Sequence, residues 1–136
     1  MSFLLDTNVV SELRKKVSNA GVEAWFDSVS AGELYLSVVV VGEIRQGIER
    51  LARRDPAQAE VFEQWLTQLV DAWGDRIVPV TADVAQIWGR LNVQDPVPVV
   101  DGLLAATALA HNWTLVTRNG KDVASTGVRL LDPFRE

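Results

Sequence analysis

The feature that most constrains this chain is a recurring pair: a short, unbroken apolar run followed by a stretch with helical spacing. The runs are Phe3-Leu4-Leu5, Leu34-Tyr35-Leu36, Ile77-Val78-Pro79-Val80, Thr114-Leu115-Val116-Thr117 and Arg129-Leu130-Leu131. Runs that do not alternate polar with apolar suit strands covered on both faces. Helical segments separate them. One follows Thr7 or Asn8, either of which can cap it, and another spans Ala20 to Val29 and breaks near Gly32. Ser37 caps a third, running to about Arg54, although its four opening valines are poor helix formers. Pro56 begins a fourth that Gly74-Asp75 closes, Thr81 caps a fifth to about Asn92, and a sixth spans Val99 to about His111. Strands alternating with helices require right-handed crossovers and a mostly parallel sheet of about five strands. The expectation is a three-layer α/β/α fold, and 136 residues make it a single domain over 1–136.

Most of the 18 carboxylates sit among polar neighbours, but three do not. Asp6 follows the first apolar run directly, Glu43 follows Val38 to Val41 and Gly42, and Asp101 is the only charge between Val99 and Ala110. An ionised carboxylate in apolar surroundings is costly unless a cation or good donors compensate it. Each has an ordinary explanation: an Asx-turn or cap for Asp6, a solvated helix stripe for Glu43, a favourable helix dipole for Asp101. Asp122, in a Gly- and Lys-containing loop after the fourth run, reads by itself as a solvated loop acid. Together they point elsewhere, because ligands of open α/β sheets bind beyond the carboxyl ends of the strands. The chain has no cysteine and one histidine, His111, which removes thiolate zinc, thiol nucleophiles and multi-histidine metal sites. What remains is a hard-oxygen set suited to Mg²⁺ or Mn²⁺.

Four segments carry a resemblance: Asp6-Thr7-Asn8-Val9-Val10-Ser11-Glu12, Gly42-Glu43-Ile44-Arg45-Gln46-Gly47-Ile48, Asp101-Gly102-Leu103-Leu104-Ala105-Ala106-Thr107-Ala108 and Leu115-Val116-Thr117-Arg118-Asn119. In this order and spacing the chain resembles PIN-domain ribonucleases, and among them the VapC and FitB-like toxins of prokaryotic type II toxin–antitoxin systems. The resemblance runs from the first strand to Pro133. It implies a PIN-like fold and a Mg²⁺- or Mn²⁺-dependent endoribonuclease with Asp6, Glu43 and Asp101 as catalytic, metal-binding acids. Family members place a fourth acid at the position of Asn119 or three residues later; here Asn119 is an amide and Asp122 carries the charge, so Asp122 takes that role. Thr7, Thr117 and Asn119 match positions that hydrogen-bond the carboxylates or the attacking water. The resemblance also implies a homodimer, a cognate antitoxin partner, an RNA substrate and a cytoplasmic location. The alternative is a catalytically weak PIN-like binding module acting through RNA or a partner protein.

A net charge of −5 excludes a generally basic nucleic-acid coat, but setting aside the four proposed ligands brings the balance to −1. Local cations must then steer RNA. Arg50 and Arg54 lie on the face of Glu43, about 10 and 16 Å farther along a helix, and Arg14 follows Asp6 with Lys15 and Lys16. No apolar stretch is long enough to span a membrane, and no secretory signal is expected from the N-terminal residues. A haloacid-dehalogenase-type phosphatase needs a second Asp where Asn8 stands. A receiver domain needs an acidic pair near the end of the first strand and a lysine after the last long strand, and neither is evident. His111 has no catalytic role in this reading, and the five tryptophans (Trp25, Trp65, Trp73, Trp88, Trp113) are expected mainly in the core.

Overall fold

The computed structural model describes residues 1–135. Five strands, β1 (Phe3–Leu5), β2 (Leu34–Ser37), β3 (Ile77–Val78), β4 (Thr114–Val116) and β5 (Leu130–Leu131), form one sheet in the order β3-β2-β1-β4-β5. Every pairing is parallel, with Phe3 opposite both Leu34 and Thr114, Leu36 opposite Ile77, and Leu115 opposite Leu130. Between them run α1 (Thr7–Leu13), α2 (Ala20–Asp27), α3 (Val38–Ala52), α4 (Pro56–Trp73), α5 (Ala82–Gln94) and α6 (Val99–His111). Successive side chains of a strand point to opposite faces. All three residues of β1 and all three of β4 are buried, so helices cover both faces at the sheet centre. This is the three-layer α/β/α arrangement with a parallel central sheet.

The core is built from Leu4 and Leu5 of β1, Leu34 and Leu36 of β2, Leu104 of α6 and Leu115 of β4, all fully buried. Helix α6 lies deepest, burying Gly102 and Leu104 through Ala108. Helices α5 and α6 approach closely at Gly102, where an added Cβ would stand 2.9 Å from Val97 Cγ2 and 3.1 Å from Trp88 Cδ1 and Nε1. Helices α3 and α4 form an antiparallel arm pinned by Arg45, whose two terminal nitrogens donate to Glu63 at 2.6 and 2.7 Å. Four opening valines do not prevent α3, because the Ser37 hydroxyl accepts from Val39 N at 3.0 Å and Val40 is fully buried.

Three local expectations change. Asp6, rather than Thr7 or Asn8, is the N-cap of α1: its side chain accepts from Thr7 N, and Thr7 and Asn8 lie inside the helix. The third strand stops at Val78, since Pro79 has no N–H to donate to a ladder. The five tryptophans rim the core instead of filling it, each half-buried. Trp25 meets Phe3 edge-on, Trp113 is stacked against both Tyr35 and His111, and Trp73 lies under Arg76.

Candidate functional site

Parallel strands place all their carboxyl ends along one edge of the sheet, and Asp6 is the first residue past the end of central β1. Its backbone N–H donates to Val116 O at 2.9 Å, continuing the ladder, while its carbonyl accepts from Val9 N and Val10 N to start α1. The strand-to-helix turn therefore fixes the backbone, and the side chain is 5% exposed. Three donors hold the carboxylate. Thr7 N reaches Oδ1 at 2.7 Å, and Thr117 Oγ1 and Asn8 Nδ2 reach Oδ2 at 2.7 and 3.3 Å. Burial pushes the Asp6 carboxyl above its ordinary pKa, and the Thr117, Thr7 and Asn8 hydrogen bonds partly oppose that rise. The Thr117 hydroxyl is aimed in turn by Asn119 N, which donates to its oxygen at 3.0 Å.

Glu43, in the second turn of α3, is half-buried and tied to the same turn. Thr7 Oγ1 donates to Glu43 Oε1 at 2.6 Å, across 36 residues of sequence. Asp101, in the first turn of α6, is the third acid. Together Asp6, Glu43 and Asp101 line a cavity of about 350 Å³, with Thr7, Asn8, Gln46, Gly47, Arg50 and Asn119 completing its wall. The acids feel one another: the Asp101 carboxyl is raised to about 6, first by burial and then by the charges of Asp6, Asp122 and Glu43. Asp122 itself is exposed in a 3₁₀ turn (Gly120–Asp122), and at this edge it is Asn119 that faces the cavity. The charge of Asp122 still reaches Asp101.

Of the three proposed RNA contacts, Arg50 lines the acid cavity. Arg14 and Arg54 line an adjoining groove of about 390 Å³ that shares Thr7, Glu43 and Gly47 with it. The guanidinium of Arg14 sits 4.3 Å above the Phe62 ring centroid. Two wall residues escaped the sequence reading. Asn8 bridges Asp6 to the β4 loop by accepting from Arg118 N at 3.3 Å, and Gln46 lies one turn from Glu43 on α3. Asn8 was legible as an Asx side chain two residues past a strand-end acid; nothing in the sequence alone marks Gln46.

Among the described residues no three acidic side chains stand close enough to enclose a metal ion unaided. The donor chemistry nevertheless fits a hard divalent cation. Mg²⁺ keeps several waters and is commonly held by one or two carboxylates plus substrate phosphate oxygens, not by an all-protein cage. Asp6 Oδ1 accepts a single hydrogen bond, leaving a lone pair, and Glu43 Oε2 accepts none among the described residues.

Comparison with known proteins agrees with this architecture. Residues 3–127 match the PIN domain family. The VapC ribonuclease Y4jK of Sinorhizobium fredii is 31% identical, covering 96% of both chains, and the toxin FitB of Neisseria gonorrhoeae is 31% identical over 98% of this chain and 99% of its own. The crystal structure of FitAcB from Neisseria gonorrhoeae superposes with a TM-score of 0.89 at 31% identity, covering 98% of this chain and 99% of that one. The acids gathered at the carboxyl edge of a parallel sheet thus belong to a known architecture, and the chain is a member of the PIN-domain family, in the branch that includes VapC and FitB.

Proposed function

We propose that the chain is a divalent-metal-dependent endoribonuclease acting as the toxin of a toxin–antitoxin module. The observation that carries this reading is the convergence of Asp6, Glu43 and Asp101, from three separate elements, on one cavity beyond the central strand. The names of the similar proteins, a VapC ribonuclease and a FitB toxin, support the reaction class and the biological role.

Asp6, Glu43 and Asp101, with Asp122 beside them, are the residues that would hold Mg²⁺ or Mn²⁺. When bound, such an ion lowers the pKa of a water for in-line attack on the phosphodiester and offsets charge on the phosphate. The chain's own groups do the positioning. Thr7 and Thr117 donate their hydroxyl protons to Glu43 Oε1 and Asp6 Oδ2, which orients both carboxylates toward the cavity. Asn8 locks the Asp6 turn to the loop that carries Thr117 and Asn119. Arg50 supplies a cation to the phosphate within the cavity wall, and Arg14 and Arg54 extend the positive contact along the adjoining groove. A cognate antitoxin, a homodimer and a cytoplasmic location complete the proposal. Exposed Val93 and Val99, at 79% and 61%, offer apolar area for a second copy, and no helix among the described residues is long and apolar enough to cross a membrane.

The test is incubation of purified protein with a mixed RNA pool, with and without Mg²⁺ or Mn²⁺, beside Asp6→Asn. Discrete products with 5′-phosphate and 3′-hydroxyl ends, requiring both metal and Asp6, are expected. Metal-independent cleavage would overturn the proposal. Metal binding without cleavage would favour the PIN-like binding module, a reading to which Asn119 in the cavity wall lends some support.

A further inference from the structure

On the far side of the acid cavity from Arg14 and Arg54 lies a third pocket, of about 520 Å³, between the carboxyl ends of β4 and β5. Arg118, Lys121 and Arg135 line it with Asn119, Leu130 and Asp132. Arg135 Nε pairs with its one acid, Asp132 Oδ2, at 3.2 Å, which leaves Arg118 and Lys121 as cations with no ion pair among the described residues, in a chain of net charge −5. Arg118 is a fixed cation: its guanidinium lies 3.8 Å over the Phe134 ring, and its backbone N–H donates to Asn8, whose amide holds Asp6. Asn119 lines this pocket and the acid cavity alike, so the two spaces are neighbours across one side chain.

We propose that this pocket is a phosphate subsite that takes the backbone phosphate of the nucleotide next to the bond being cut. The inference rests on the ribonuclease reading and gives it a direction. A strand seated over the acids has cations on both sides: Arg14 and Arg54 beyond α3, Arg118 and Lys121 beyond β4. Guanidinium and ammonium donors suit the non-bridging phosphate oxygens, Arg as a planar fork and Lys as a mobile point charge. The charge and placement of the pocket also explain how a chain with so many acids at its centre keeps hold of a polyanion.

The experiment is fluorescence anisotropy of a short fluorescein-labelled oligoribonucleotide, in EDTA so that neither metal nor cleavage contributes, across a KCl series. Lys121→Ala and the double variant Arg118→Ala/Lys121→Ala are compared with the unaltered protein, and Arg118→Lys controls for the Phe134 contact. Losing one neutralised phosphate on a single strand should make the slope of log K against log salt shallower by about 0.7, which weakens binding about fivefold near ~0.1 M salt. Arg118→Lys should keep the original slope. Lys121 is exposed, so its variant tests the pocket even where Arg118→Ala disturbs folding. An unchanged slope in Lys121→Ala and the double variant, with Arg50→Ala/Arg54→Ala still lowering it, would overturn the subsite while leaving the ribonuclease reading intact. Absence of RNA binding by the unaltered protein would overturn both. Equal affinity and equal loss with an oligoglutamate would overturn the phosphate assignment in favour of an acidic protein partner.

Discussion

Asp101 and Asp6 are both raised acids, each first by burial, and they differ in what acts beside it. Asp6 is buried and braced by donors, while Asp101, more open, is lifted to about 6 by burial and then by its anionic neighbours. A carboxyl whose folded pKa exceeds its ordinary value binds its proton more tightly in the folded state, so it opposes folding above that pKa. The penalty from Asp101 is therefore full at pH 7, fades as pH falls through about 6, and is gone near its ordinary value of 3.8. Asp101→Asn should abolish cleavage yet raise the Tm of the metal-free protein by about 1–3 °C at neutral pH, allowing for solvent screening. Calorimetry at pH 7 and near pH 4 checks this: the advantage should vanish at the lower pH, and a destabilised variant at pH 7 would contradict it. Thr117 gives the complementary case. Thr117→Val removes the hydroxyl that steadies the Asp6 anion, so the acid limb of the pH–rate profile should move to higher pH. Thr117→Ser should restore it, which a role in packing alone would not require.

At the scale of elements, the site depends on how closely α6 lies against its neighbours, and two glycines make opposite predictions. An alanine methyl at Gly102 would press on Val97 and the Trp88 ring. The gain in helix propensity, about 1 kcal/mol, is set against an overpacking cost of about 1–3 kcal/mol, so Gly102→Ala should lower the Tm and displace Asp101, its chain neighbour. Gly42 sits in α3 with open space where a Cβ would go. Gly42→Ala should raise the Tm by about 2–5 °C, because only the propensity gain of about 1 kcal/mol applies. Thermal melts of both variants, with RNA cleavage assayed alongside, separate the two effects. Elements are also where the sequence was most and least informative. The apolar runs marked all five strands, β1 and β4 fully buried at the centre and β3 and β5 only partly covered at the edges, and Ser37, Pro56, Gly74 and Thr81 marked helix ends through hydrogen bonds and backbone geometry that are local. Asp6, Glu43 and Asp101 were legible as acids out of place. The Arg118–Lys121–Arg135 pocket was not, because it exists only once β5 lies beside β4 and brings Arg135 back to the loop after Thr117. The tryptophans misled for a related reason: helical spacing tells which face a residue occupies but not whether another layer covers it.

At the scale of the whole molecule, the acids make the metal-free protein hold charge it would shed if it could. Adding Mg²⁺ should therefore stabilise the fold, by about 2.7 kcal/mol at a hundred times its Kd, which is a Tm rise of several degrees. The rise should shrink at pH 5, where protonation of Asp101 competes with the ion, and should be lost in Asp6→Asn. Differential scanning fluorimetry with a Mg²⁺ titration at both pH values reads this out. An equal shift at pH 5 and pH 7 would place the ion away from these acids.

The position of β1 at the centre of the sheet has a consequence for how the site forms. Asp6 takes its strongest side-chain donor from Thr117, 111 residues later, and its strand needs β4 as a neighbour, so the site is assembled only when distant parts of the chain meet. Pairings this distant in sequence form late, after the loops between them have closed. The acids therefore stay apart until β4 docks on β1, and the site appears only with the completed centre of the sheet.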